Sequence, residues 1–227
     1  MPITLFELAG ASPERRFSPY CWRSHLALWH KGLDFQALPW RYNDKALIAA
    51  SGQGKVPVLV DGDQILHESW DIALYLEDRY PQAPSLFPEG AVQAKAFMNR
   101  CDSEFNPAVR WFLLPVIHPL LTPGDQVYFR QSREAQLGMR LEDCSQKADR
   151  AALASVLGGF AEQLGSQPFF AGFEPGYSDL SLLGSLLWAA ASWDQDPLSD
   201  QPVLKAWRAR LAARFPGLAD YRFQYQL

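Results

Sequence analysis

Ser18-Pro-Tyr-Cys21 opens a stretch in which Trp22, Leu26 and Trp29 recur at helical spacing. Serine is a favoured N-cap, and proline is tolerated at the first helical position. A helix start presents unpaired N–H groups and the positive end of the helix dipole, so it stabilises a thiolate or another anion. A serine hydroxyl is a weak nucleophile but a competent hydrogen-bond donor. Ser18 is thus placed to hold a thiolate brought by another molecule, its simpler use being that of a plain N-cap. Val56-Pro57 enters an apolar run, where proline is unusual away from a sheet edge. A cis bond there would turn the Val56 backbone toward Ser18 and offer its N–H and C=O to an extended peptide, although most X–Pro bonds are trans. Glu68-Ser69 stands at another helix start. The Ser69 hydroxyl and the helix N–H groups suit a carboxylate and Glu68 an ammonium group, so the pair could clamp an amino-acid head. Lys45 and Lys55 flank the segment before the Val-Pro run. Either could take the far carboxylate of a peptide ligand, with Lys45 the favoured one.

The surrounding pattern supplies the elements that must hold these groups. Ile3–Leu8 alternates as a strand, Ser18–His30 reads as a helix ended at Gly32, and Phe35–Leu38 reads as the next strand. Asp44–Ala50 reads as a short helix and Val56–Val60 as an apolar strand. Asp61-Gly62 is a hairpin signal before Gln64–Leu66, and Ser69–Tyr80 is helical with Pro81 as its stop. The order βαβαββα implies a right-handed parallel crossover followed by an antiparallel hairpin. Residues 81–90 hold Pro81, Pro84, Pro88 and Gly90 and read as a linker. Beyond it Ala91–Val109, Asp125–Lys147, Arg150–Leu164, Tyr177–Ala190 and Gln201–Arg214 read as helices, with Pro107 and Pro115 expected to kink or break the chain after the first. The expected fold class is α+β over 1–80 and all-α over 91–227.

Composition narrows the function classes. The chain has 227 residues, 48% hydrophobic and 20% charged, which is enough for a sizeable core. A formal charge of −4 with no basic run argues against nucleic acid as a partner. Three widely spaced cysteines suggest a reducing compartment, so a cytoplasmic location is expected. Met1–Leu8 has neither a basic lead nor a long apolar run, and no signal peptide is expected. Leu180–Ala191, the most apolar stretch, is too short for the ~20 residues of a membrane span and reads as a buried helix. The histidines at 25, 30, 67 and 118 have no ligand spacing, so no metal is expected.

Together, the four motifs in this order resemble the glutathione transferase family over the whole chain. The Val-Pro-Val and Glu68-Ser69 motifs look like that family's glutathione site, and Pro175-Gly-Tyr-Ser-Asp-Leu180 like the helix-start motif of its second domain. Gly176 stands where a Ser or Thr is usual. Ser18–Arg23, His30–Gly32 and Glu68–Leu76 look most like the bacterial β-etherase and fungal etherase-like group. The resemblance implies a thioredoxin-like glutathione-binding domain at 1–80, an all-helical domain at 91–227, glutathione as co-substrate, a homodimer and a detoxifying transferase. It also implies that Ser18 steadies the glutathione thiolate. The thiolate would attack a hydrophobic electrophile held between the domains, with Phe17, Phe105, Trp111 and Phe112 as candidate lining residues. Other readings stay open. Ser18 stands where glutaredoxins carry the first cysteine of Cys-Pro-Tyr-Cys, so Cys21 could serve a thiol–disulfide oxidoreductase. Trp22-Arg23 also fits the family's isomerase class, and a binding protein that has lost catalysis would keep the same fold.

Overall fold

The computed structural model describes residues 2–227, so Met1, the first residue of the expected first domain, lies outside the described residues. The alternation of Ile3, Leu5 and Glu7 against Thr4, Phe6 and Leu8 buries one face of strand β1 (Ile3–Leu8). Helix α1 (Pro19–His30) follows and is left at Gly32, whose φ of 66° suits a residue without a Cβ. Strand β2 (Phe35–Trp40), a 3₁₀ segment (Lys45–Ser51), strands β3 (Val58–Asp61) and β4 (Gln64–His67), and helix α2 (Ser69–Arg79) complete the first half. The sheet order is β2-β1-β3-β4. Strand β1 runs parallel to β2 and antiparallel to β3, and β3 pairs antiparallel with β4. This is the thioredoxin-like βαβαββα arrangement, with the short helix tightened to 3₁₀. The third strand starts at Val58 rather than Val56, because Pro57 has no N–H for the ladder.

The second half is helical. It comprises α3 (Ala91–Arg100), α4 (Asn106–Ile117), α5 (Pro123–Leu137), α6 (Arg150–Leu164), α7 (Tyr177–Ser192) and α8 (Pro202–Ala212). Two expectations are corrected. The helix expected over 91–109 is interrupted by a wide π turn at Cys101–Phe105, where the Asn106 N–H reaches back to the Cys101 carbonyl. Pro107 follows in the first turn of α4; it cannot donate to Ser103, and the wider turn lets the chain pass without a break. The helix expected over 125–147 begins at Pro123, behind Thr122, whose hydroxyl accepts the Asp125 N–H at 3.4 Å. It ends at Gly138, whose φ of 66° turns the chain into a separate 3₁₀ segment at Leu141–Lys147.

Helix α7 is buried on nearly every side, which explains its near-continuous apolar reading. Gly184 lets it press against α1: a Cβ there would lie 3.0 Å from the Pro19 carbonyl and 3.2 Å from the Arg23 nitrogen. Arg23 also donates two hydrogen bonds, at 3.1 and 2.8 Å, to the Asp102 carboxylate of the π turn. The C-terminal segment returns over the far side of α1. There the Tyr221 ring meets Trp22 edge-on at 4.9 Å, above a buried cluster of Glu7, His25 and Arg16. Helix α1 is therefore clamped from the sheet, from α7 and from the tail. No described helix is long and apolar enough to cross a membrane.

Candidate functional site

The site is built at the C-terminal end of β1. Register alone brings its parts together. Phe6 pairs with Val58, so Val56 lies beside the exit of β1 that leads to Ser18. Val58 pairs with His67, so Pro57 and Glu68 leave the same ladder side by side. Three motifs distant in sequence thus meet at one end of the sheet.

Ser18 is 6% exposed and caps α1 in an extended conformation. Its oxygen accepts the Cys21 N–H at 3.2 Å, and among the described residues no oxygen or nitrogen acceptor takes its hydroxyl proton, its one other polar neighbour being the Cys21 sulfur. The hydroxyl can therefore cap the helix and still donate outward. The Val56-Pro57 bond is cis, against the ordinary preference for trans, and Val56 lines the same cleft as Ser18. Glu68 has φ 65° and is the one described non-glycine residue with positive φ. Such a conformation costs on the order of 1–3 kcal/mol and persists where its surroundings impose it. Its exposed carboxylate stands near α1: burial first, then Asp102 and Glu68, push the Tyr20 phenol up. No side chain caps the start of α2. Its first N–H groups and the Ser69 hydroxyl are thus available to a carboxylate. The Ser69 carbonyl is held at 2.8 Å by the Tyr177 hydroxyl of α7, which fixes this end of the site to the helical half.

A cavity of about 470 Å³ adjoins Ser18 between the two halves. Phe17, Ser18, Trp40, Tyr42, Lys55 and Val56 form one wall. Arg110, Leu114 and Ile117 of α4 face it at i, i+4, i+7, and Phe129, Arg133, Gln136 and Leu137 of α5 do so with similar spacing. Of the expected pocket residues, Phe17 lines the cavity and the other three do not. Phe105 is fully buried in the helical core. Trp111 packs beneath Arg110, whose guanidinium lies 4.5 Å from its ring centre, and Phe112 stacks on Trp193 at 4.7 Å. The helical period decides this, since Arg110, Leu114 and Ile117 share the cleft-facing stripe and the intervening aromatics point elsewhere. That spacing was the available signal for Arg110, Leu114 and Ile117. Lys55 lies on the cavity wall, whereas Lys45 is exposed at its rim, 5.3 Å from the ring centre of Tyr128.

Cys21 is fully buried. Burial first, then the Glu7 carboxylate, push its thiol up to about 12, so it stays protonated and out of reach. Cys101 and Cys144 are also buried free thiols. Among the described residues no cluster of three or more His, Cys, Asp or Glu side chains comes together.

Comparisons with known proteins bear on the fold that carries this site. Residues 13–84 match the family model described as glutathione S-transferase, N-terminal domain, and residues 91–221 match glutathione S-transferase, C-terminal domain. The chain is 38% identical to glutathione S-transferase Z2 of Arabidopsis thaliana over 69 residues, 28% of this chain and 31% of that protein. It is 27% identical to human glutathione S-transferase theta-2B over 175 residues, 76% of this chain and 66% of that protein. The matches thus span from about a third to just under two thirds of these curated relatives, 31% and 66% of their lengths. Among solved structures, a glutathione S-transferase of Ceriporiopsis subvermispora in complex with glutathione superposes with a TM-score of 0.82 at 21% identity, covering 94% of this chain and 97% of the other. Glutathione transferase GSTFuA2 of Phanerochaete chrysosporium superposes with a TM-score of 0.81 at 24% identity, covering 94% and 98%. At these identities the two structures speak to the fold.

Proposed function

Because the chain belongs to the glutathione S-transferase family, we propose that it binds glutathione at this sheet end and activates its thiol with the Ser18 hydroxyl. The observation that carries the reading is a buried serine at an open helix start, its proton unclaimed, beside a 470 Å³ cleft. Glu68 takes the ammonium group of the tripeptide, and the start of α2 with Ser69 takes the neighbouring carboxylate. The Val56 backbone at the cis Pro57 pairs with the peptide, and Lys45 or Lys55 meets the far carboxylate. Residues 1–80 then form the glutathione-binding domain, 81–90 the linker and 91–227 the helical domain.

Magnitudes favour this mechanism. A free thiol near pKa 8.5 is only a few per cent ionised at pH 7, and lowering it by about two units needs roughly 2.7 kcal/mol. One hydrogen bond to a charged group supplies about 1.5–3 kcal/mol, and the helix dipole adds up to ~1 kcal/mol. Ser18 is then a donor to the thiolate, not a base, and the thiol proton leaves to solvent. The thiolate attacks an electrophilic carbon of an aromatic co-substrate, forming a C–S bond as a halide or phenolate departs. The resemblance of the Ser18–Arg23 and Glu68–Leu76 motifs to the etherase-like group favours cleavage of a β-aryl ether. The family setting and the buried free thiols support a cytoplasmic, homodimeric detoxifying enzyme.

The test is Ser18→Ala. We expect turnover at pH 6.5 to fall about 10- to 100-fold, the scale of one charge-assisted hydrogen bond. Glutathione affinity, measured by calorimetry, should change little. In an ultraviolet titration the thiolate absorbance of bound glutathione should move to higher pH. Equal rates for variant and parent at pH 6.5 would remove Ser18 from the mechanism. A parent that binds glutathione with no thiolate signal and turns over no aryl halide, β-aryl ether or disulfide would be a binding protein.

A further inference from the structure

We propose that Arg110 and Arg133 form an anion subsite in the cleft, so that the electrophile is an aromatic compound carrying a carboxylate. This rests on the glutathione reading above and names the co-substrate's chemistry.

The charged side chains lining the cavity are Lys55, Arg110 and Arg133, and no carboxylate lines it. Three guanidiniums buried elsewhere are paired with carboxylates, and a fourth, Arg15, donates to the Ala191 carbonyl. Arg16 meets Glu7 at 3.3 Å, Arg23 meets Asp102 at 2.8 Å, and Arg208 meets Asp196 at 2.6 Å. The two cleft arginines have no such partner among the described residues. Arg110 lies against the Trp111 ring, and its Nε is buried with no hydrogen-bond acceptor. Arg133 lies 5.2 Å from the Phe129 ring centre and faces the Tyr42 hydroxyl. They project from facing stripes of α4 and α5 into one cavity, so their fields add where water is partly excluded. An arginine offers a planar fork of donors matched to a carboxylate. Trp40, Tyr42, Phe129 and Trp188 around them supply flat apolar walls for a ring.

The experiment compares a chloronitrobenzoate with its methyl ester. In both, the glutathione sulfur bonds to the ring carbon as chloride leaves, and each enzymatic kcat/KM is divided by the rate with free glutathione thiolate. We expect the acid to be favoured at least tenfold in the parent. That ratio should fall toward one in Arg110→Gln/Arg133→Gln and fall less in Arg133→Lys. Thermal melting and calorimetric glutathione binding establish that the variants are folded and hold the co-substrate. Ser18→Ala should lower both rates and leave the ratio, which separates thiol activation from anion recognition. Binding of nitrobenzoate against methyl nitrobenzoate, measured without glutathione, reads the subsite independently and should favour the acid. A parent ratio near one, a ratio unmoved by the double substitution, or equal binding of acid and ester would each overturn the subsite. Absence of glutathione binding with preference for the acid intact would overturn the glutathione reading alone.

Discussion

Two small polar residues a turn apart have opposite fates. Ser18 faces the cleft with its proton free, whereas Cys21 faces the sheet, where burial and Glu7 push its thiol up to about 12. At pH 8 a thiol of that pKa, about 12, is ionised in roughly one molecule in ten thousand. Cys21 should therefore resist alkylation in the folded protein and react only on unfolding, as mass spectrometry after iodoacetamide treatment would show. Cys21→Ala should keep transferase turnover within about twofold, at a stability cost of about 1–2 kcal/mol for the sulfur-sized void. Loss of a disulfide-exchange activity in that variant would instead assign thiol chemistry to Cys21. The helix starts at Ser18 and Ser69 and the unusual Val56-Pro57 were legible in the sequence because helix starts and proline in strands have local signatures. Phe105, Trp111 and Phe112 were not, since an aromatic type says nothing of which side of a helix meets the cleft.

Helix α7 anchors the site at the scale of elements. Gly176 caps it without a side chain, and Asp179 takes over the work. Its carboxylate accepts the N–H groups of Phe170, Ala171 and Gly176 at 2.8–3.1 Å and the Trp207 indole at 2.7 Å. Burial raises its pKa against these bonds. Removing the acceptor strands several buried donors, so Asp179→Ala should cost about 3–5 kcal/mol, measured as a lower urea midpoint with an unchanged slope. The loop at Phe170–Gly176 would loosen with it, and Tyr177 would hold Ser69 less firmly. An effect below 1 kcal/mol would show that water satisfies those donors. The helix-start motif revealed α7, and its apolar run revealed that it is central. The π turn before Pro107 was invisible, because a wider turn solves the proline clash without leaving the helix.

Across the whole molecule, carboxylates tie segments together. Burial alone would raise Glu77, but the Leu86 N–H, Lys31 and the Ser85 hydroxyl outweigh it and hold its pKa down. Asp196 is likewise held low, burial being outweighed by Arg208 and the Leu198 N–H. A lowered folded-state pKa gives stability that is present above the unfolded value, near 4, and is lost as pH falls through the folded one. These two carboxylates should therefore make the melting temperature drop below about pH 4, and His30, whose pKa burial pushes down, adds a further loss as pH falls below its usual 6.5. Glu77→Gln should shallow that drop, though its carboxylate is partly solvated and the effect is modest. A variant with an unaltered acid limb would exclude this tie.

The amino-acid sequence by itself determined the two-part architecture, the order of elements along its first half and several helix starts, because periodicity, caps and turn residues act over a few positions. It also marked Ser18, since an N-cap is a local event. Which motifs share a cleft was decided only in three dimensions. The ladders Phe6–Val58 and Val58–His67 carry Val56 and Glu68 to Ser18, and α4 and α5 bring Arg110 and Arg133 to one cleft. Strand register and helix rotation depend on contacts between distant segments, and no local stretch of sequence contains them.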